Sequence, residues 1–166
     1  MASLVDTNVL VYRVDPRDPL KQQVALDILR DGLRADRLFI AHQSVLEFVA
    51  AVSRPQADLA GAPLLERADA LLEAEALLAE FPVLYPARET LQTAIRGAAT
   101  YGLPWFDAHL WAYAEVNGLH EILSEDFQHG RHYGSVRAVN PFLAAAGSGV
   151  AELPPLYTTP ETKTAP

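Results

Sequence analysis

Short apolar runs alternate along this chain with longer stretches of helical spacing. Leu4-Val5, with Val9-Leu10-Val11 on the far side of Asp6-Thr7-Asn8, reads as a short buried strand ending at a polar turn. Over residues 19–34 the apolar positions Leu20, Val24, Ala25, Ile28 and Leu29 recur at helical intervals, and residues 37–41 predict a second strand. Val45, Phe48, Val49 and Val52 predict an amphipathic helix over residues 43–54, stopped by Pro55. Residues 63–80 are rich in Leu and Ala with glutamates on the other face, which predicts a helix ended by Pro82, and residues 83–85 follow as a strand. Residues 87–101 predict a helix that Gly102 stops, and Pro104 sits in the first turn of another running to Asn117. Glu121-Ile122-Leu123 and residues 136–139 complete the set as two more short strands.

Strands alternating with helices predict an α/β fold, a three-layer domain with a central, mostly parallel sheet flanked by helices. The 166 residues suit one domain, over residues 1–142, and contain no internal repeat. Beyond it the pattern dissolves into a tail, residues 143–166, whose last part is proline-rich. Half of the chain is hydrophobic and a fifth charged, so a core is expected and a wholly disordered chain is excluded. A net charge of −8 argues against coating nucleic acid through bulk positive charge, though not against an enzyme touching it at one site. With no cysteine, disulfide scaffolds, Cys-ligated zinc, iron–sulfur clusters and thiol nucleophiles all drop out. The first residues lack a basic region, and the apolar runs fall far short of the roughly 20 residues a membrane span needs. The expectation is a cytoplasmic protein with no membrane partner.

Chemistry gathers on acids. Ligands of an open parallel sheet bind at the carboxyl ends of its strands. Asp6 follows the first strand and Ser124-Glu125-Asp126 follows the 121–123 strand, so both face one edge. Glu47 and Asp107 each interrupt an otherwise apolar helical segment. Taken singly, Asp107 reads equally as a first-turn acid, Glu47 as a solvated flank residue, Asp126 as a helix cap, and Thr7-Asn8 as turn chemistry. Taken together, four carboxylates in one cleft repel by roughly 4 kcal/mol per pair at about 4 Å and an effective dielectric near 20. Such crowding calls for protonation or a bound cation. Oxygen-only ligands favour Mg²⁺ or Mn²⁺ over zinc, and metal-assisted phosphodiester hydrolysis is the matching reaction class.

The motifs resemble those of the PIN-domain ribonucleases, including the VapC-type toxins of toxin–antitoxin pairs. Leu4-Val5-Asp6-Thr7-Asn8-Val9-Leu10-Val11-Tyr12 is similar to the family's opening strand and first acid, Ser44-Val45-Leu46-Glu47-Phe48 to its second acidic motif, and Trp105-Phe106-Asp107-Ala108 to its third. Residues 123–130, with Val139-Asn140-Pro141-Phe142 after them, resemble the fourth motif and closing strand of a prokaryotic subgroup. The resemblance spans about residues 3–142 and implies a PIN-like fold. It implies that Asp6, Glu47, Asp107 and Asp126 bind Mg²⁺ or Mn²⁺ and cut single-stranded RNA, with Thr7, Asn8 and Ser124 as the polar residues that orient them. It also implies a cognate antitoxin and a homodimer, for which the Leu-rich helix between Leu64 and Leu78 offers one surface. The alternative is a PIN-like module that binds RNA or protein without cutting.

Other constellations carry less. A haloacid-dehalogenase-type site wants a second Asp where Asn8 stands, and a phospho-receiver wants a late lysine, whereas the lysines are Lys21 and Lys163. No glycine-rich phosphate loop is present. His129 and His132 read as a solvated loop rather than a metal pair, and His109 as packing or solvent-facing. Trp105, Phe106, Trp111 and Tyr113 read as core, with Trp105 also placed to stack a base. Arg13, Arg17, Arg54, Arg131 and Arg137 are candidates for phosphate contact or scattered surface charge.

Overall fold

The computed structural model of the chain describes residues 1–143. Its first strand, β1 (Ser3–Val5), is the middle of a six-stranded sheet, and the three residues are wholly buried. The helix α1 (Thr7–Val14) begins at once, with Asp6 as its N-cap. Val9-Leu10-Val11 therefore lies on a helix and does not extend the strand. Three β-branched or aliphatic residues have no decisive period, and the Asp6 cap together with burial of Val9 and Leu10 overrides their β preference.

Next come α2 (Pro19–Arg34), β2 (Leu38–Ala41), α3 (His42–Ser53), a short 3-10 turn (Ala57–Leu59), α4 (Arg67–Glu80), β3 (Val83–Leu84), α5 (Arg88–Tyr101) and α6 (Trp105–Val116). The chain closes with β4 (Glu121–Leu123), β5 (His132–Tyr133) and β6 (Val136–Val139). Asp18 caps α2 by accepting from the Lys21 amide, and Pro19 occupies the first turn, where no amide hydrogen is needed. The helix expected from residue 63 begins only at Arg67, and Pro104 is the cap of α6 rather than part of its first turn. The hairpin strand β5 was not expected at all, since two residues carry no period. The tail expected over residues 143–166 lies, apart from Leu143, outside the described residues.

Strand order is β3-β2-β1-β4-β6-β5, parallel throughout except for the β5–β6 pair. Leu4 pairs in register with Phe39 and Ile122, while Val5 pairs with Ile40 and Leu123. Alternation then divides these rows between two cores. One face, with Leu4, Ile122 and Ala138, packs under Trp111 and Tyr113 of α6 and Ala94 of α5. The other, with Val5, Ile40 and Leu123, packs on Val9, Leu29, Phe48 and Leu77 from α1 to α4. The result is three layers. From β1 the chain adds β2 on one side and later β4 on the other, so the carboxyl ends of β1 and β4 form the switch point of the sheet.

The α5–α6 contact is close because residue 97 has no side chain: a Cβ built there lies 2.2 Å from the Trp111 ring. Trp111 cannot yield freely, since its indole donates to the Tyr133 carbonyl at 2.7 Å. Gly97→Ala is therefore expected to destabilise the chain by about 1–3 kcal/mol of overpacking, despite a helix-propensity gain of about 1 kcal/mol. Urea unfolding of the two chains checks this, and a more stable variant would refute it.

Candidate active site

Each acid singled out in the sequence reaches the cleft by its own route. Asp6 is fixed where β1 ends, its amide donating to the Leu123 carbonyl of β4 at 3.0 Å. Its carboxylate accepts from the Thr7 amide at 2.6 Å, from Asn8 Nδ2 at 3.1 Å and from Ser124 Oγ at 2.5 Å. Glu47 projects from the second turn of α3 and accepts from Thr7 Oγ1 at 2.9 Å and Gln43 Nε2 at 2.8 Å. Asp107 stands in the first turn of α6, and Asp126 in the loop after β4. Asn8 Nδ2 also reaches Asp126 Oδ2 at 3.1 Å, so one amide spans two of the acids.

Asp6, Thr7, Asn8, Glu47, Asp107 and Asp126 line a single cleft of about 350 Å³, and the buried Ser124 supports it from behind. The structure thus brings together all seven residues singled out in the sequence. Ser124 accepts from Asn8 and from the Asp126 amide while donating to Asp6, which makes it the hub of the polar group.

Burial, with like charge from Asp126 and Asp107 behind it, pushes the Asp6 carboxyl from 3.8 up to about 7 against the lowering effect of its hydrogen bonds. Burial also raises Asp107, helped by Asp126 and Glu47. Every potential ligand is an oxygen, and Asn8 Oδ1 is a buried acceptor with no partner. That donor set fits a hard divalent cation. Among the described residues, however, no three carboxylate or imidazole side chains are near enough to hold one ion as they stand.

The sequence profile of the PIN domain matches residues 3–134. The chain belongs to the PIN-domain family. Solved structures share this PIN fold at low identity. VapC20 of Mycobacterium tuberculosis, a Sarcin-Ricin loop cleaving toxin, is 14% identical, with a TM-score of 0.58 over 82% of this chain and 99% of its own. A toxin–antitoxin complex from Klebsiella pneumoniae is 17% identical, with a TM-score of 0.59 over 84% of this chain and 98% of that one. DNA-bound VapBC from Salmonella typhimurium is 14% identical, with a TM-score of 0.59 over 83% and 96%. No curated protein matches the sequence.

Several features of this PIN domain escaped the sequence reading. Gln43, four residues before Glu47 and so on the same side of α3, bridges Glu47 to α6; the i,i+4 spacing was the available signal. His109 is tied to Gln43 at 2.6 Å rather than being only packed or solvent-facing. Tyr12 and Lys21 both bind Glu125, bracing the loop that carries Asp126. Trp111 and Tyr113 are core as expected, but Trp105 and Phe106 are 46% and 65% exposed, because the first turn of α6 projects past the layer that covers the rest. Of the arginines, Arg13 pairs with Glu73 and Glu80, while Arg17, at the cleft wall, pairs with Asp15 and Asp58.

Because folded Asp6 holds its proton more tightly than the unfolded chain does, stability in chelator is expected to fall as pH rises from about 4 to about 7. The loss is on the order of a few kcal/mol. Asp107 adds to it, and Asp15, lowered by Arg17, opposes it at lower pH. Asp6→Asn should flatten this slope and be the more stable chain at pH 8. Urea unfolding at pH 5 and pH 8 reads the difference; equal losses in both chains would refute the assignment.

Proposed function

We propose that this PIN domain is a divalent-metal-dependent endoribonuclease, acting in the cytoplasm as the toxin of a toxin–antitoxin pair. The observation that carries the reading is the convergence of Asp6, Glu47, Asp107 and Asp126 from four distant segments onto one cleft. Like charges gathered and partly buried in this way cost stability unless something positive is meant to join them. Mg²⁺ or Mn²⁺ would be held by these four carboxylates. When bound, such an ion supplies a Lewis-acid contact for a phosphate oxygen and acidifies a water.

The chain's own residues do the rest. Thr7, Gln43, Asn8 and Ser124 fix the planes of the Glu47 and Asp6 carboxylates. Asp6, fixed by three donors, would present its carboxylate to the cation, and one of the acids would take the proton from the attacking water. Asp107 and Asp126 complete the negative wall facing the phosphodiester.

The VapC20 toxin, which cleaves the Sarcin-Ricin loop, and the toxin–antitoxin complex from Klebsiella pneumoniae support the toxin reading through their common fold. An antitoxin segment is proposed to enter at the cleft. A second copy of the chain is proposed to cover the apolar side beside it, where Leu46, Leu91, Trp105 and Phe106 are exposed around one groove. The Leu-rich helix, with Leu71, Leu72 and Leu78 exposed, offers the other surface for such a dimer. No helix among the described residues is long and apolar enough to cross a membrane.

Purified protein with Mn²⁺ or Mg²⁺ should cleave single-stranded RNA, chelator should stop it, and Asp6→Asn should lower the rate at least ~100-fold. Cleavage that persists in Asp6→Asn, or in chelator, would overturn the reading; Mn²⁺ binding without any cleavage would favour an inert binding module. Sedimentation of wild type and Phe106→Asp should give a dimer and a monomer respectively, and identical masses would remove the proposed dimer face.

A further inference from the structure

Gln43 is 8% exposed and sits where α3 meets the start of α6. Its side-chain nitrogen faces two acceptors, Glu47 Oε1 at 2.8 Å and the Phe106 carbonyl at 3.1 Å. Both are oxygens without hydrogens to give, so the amide nitrogen must point at them; the flipped amide would set oxygen against oxygen twice. The remaining amide oxygen then faces His109 Nδ1 at 2.6 Å. Because Gln43 Oε1 can only accept, His109 must carry its proton on Nδ1.

The result is a one-way chain. His109 donates to Gln43, and Gln43 donates to Glu47, whose other oxygen accepts from Thr7. Trp105 stacks on one side of the His109 ring at 6.4 Å and Tyr113 meets it edge-on at 5.2 Å, which holds the imidazole in place. The same amide ties Glu47 to the carbonyl immediately before Asp107, so the spacing of two of the four acids passes through it.

We propose that Gln43 and His109 are positioning residues: a directed hydrogen-bond strut from α6 to α3 that fixes the plane of the Glu47 carboxylate and its place relative to Asp107 for cation binding. The inference rests on the metal reading above and adds to it two residues that act through Glu47 rather than as ligands. Groups that orient a metal ligand through one hydrogen bond typically change metal affinity about 10–100-fold when removed.

The test uses the full chain and two readouts. Long-range proton–nitrogen spectra of the metal-free protein should show His109 protonated at Nδ1, and Gln43→Leu should release that tautomer. Calorimetry with Mn²⁺ should show Gln43→Leu and His109→Leu each binding about 10-fold more weakly, with the double variant no worse than either single one. His109→Asn, whose amide places a donor near the Nδ1 position, should recover affinity to within about threefold. Unchanged Mn²⁺ affinity in His109→Leu, or equal weakening in His109→Asn and His109→Leu, would overturn the proposal. So would an Nε2-protonated His109 in the wild type. A wild-type chain that takes no Mn²⁺ refutes the metal reading instead, and the tautomer then decides whether the strut exists.

Discussion

The arrangement depends on a carboxylate held where the sheet changes direction. Asp6 ends the central strand, caps the helix that follows and is almost fully buried among other acids. β1 has β2 on one side and β4 on the other, so its carboxyl end lies beside the loop that carries Ser124 and Asp126. A burial that favours the protonated form is opposed by three donors: the Thr7 amide, Asn8 Nδ2 and Ser124 Oγ. Burial prevails, leaving a carboxyl that changes protonation near neutrality rather than near pH 4. The cap at Asp6 also starts α1 one residue later, which carries Thr7 to Glu47 and Asn8 to Asp126. One backbone position thereby sets the geometry of three acids.

Around that point, ion pairs tie the walls together and use up the nearby cations. Arg13 fastens α1 to α4 through Glu73 and Glu80. Arg17, held by Asp15 within the turn between α1 and α2, reaches the 3-10 turn through Asp58. Lys21 reaches from α2 to Glu125, next to Asp126. These pairs are partly exposed, so each adds little to stability by itself. Their greater consequence is electrostatic, because Arg17 at the cleft wall and Lys21 beside the loop of Asp126 already have acidic partners. A polyanionic substrate approaching this cleft meets little unspent positive charge from those side chains, which is the physical case for a cation as the third participant.

Much of this was legible in the sequence wherever a pattern extended over several residues. The strands at residues 3–5, 38–41, 121–123 and 136–139 are apolar runs bounded by polar turns, and right-handed parallel connections leave few ways to order them. The acids were legible because Glu47 and Asp107 break apolar segments that would otherwise be continuous. What escaped was decided by tertiary contact. Val9-Leu10-Val11 became helix because its buried side packs against α2 and α3, and β5 exists only because Tyr133 pairs with Val136. Trp105 and Phe106 lie outside the core because no described element covers the first turn of α6, a fact of the neighbours rather than of those residues. Gln43 and His109 are 66 positions apart, and nothing local marks them as partners.

The four acids are not equivalent in how they are held. Asp6 and Glu47 have both carboxylate oxygens engaged by donors, so their planes are set before anything binds. Asp126 has a single side-chain donor, the Asn8 amide it shares with Asp6, and Asp107 has none among the described residues. Restraint is therefore uneven: Asp6 and Glu47 are clamped, Asp126 is joined to Asp6 through the Asn8 amide, and Asp107 is the least tethered. On the proposed reading, Asp6 and Glu47 would hold a cation with their carboxylate planes already set, and Asp107 and Asp126 would be its less restrained ligands. Preorganising half of the ligands limits the reorganisation required, while the open half gives the ion and its phosphate a way in. A cleft in which all four acids were equally clamped would carry the full like-charge repulsion whenever it stood empty.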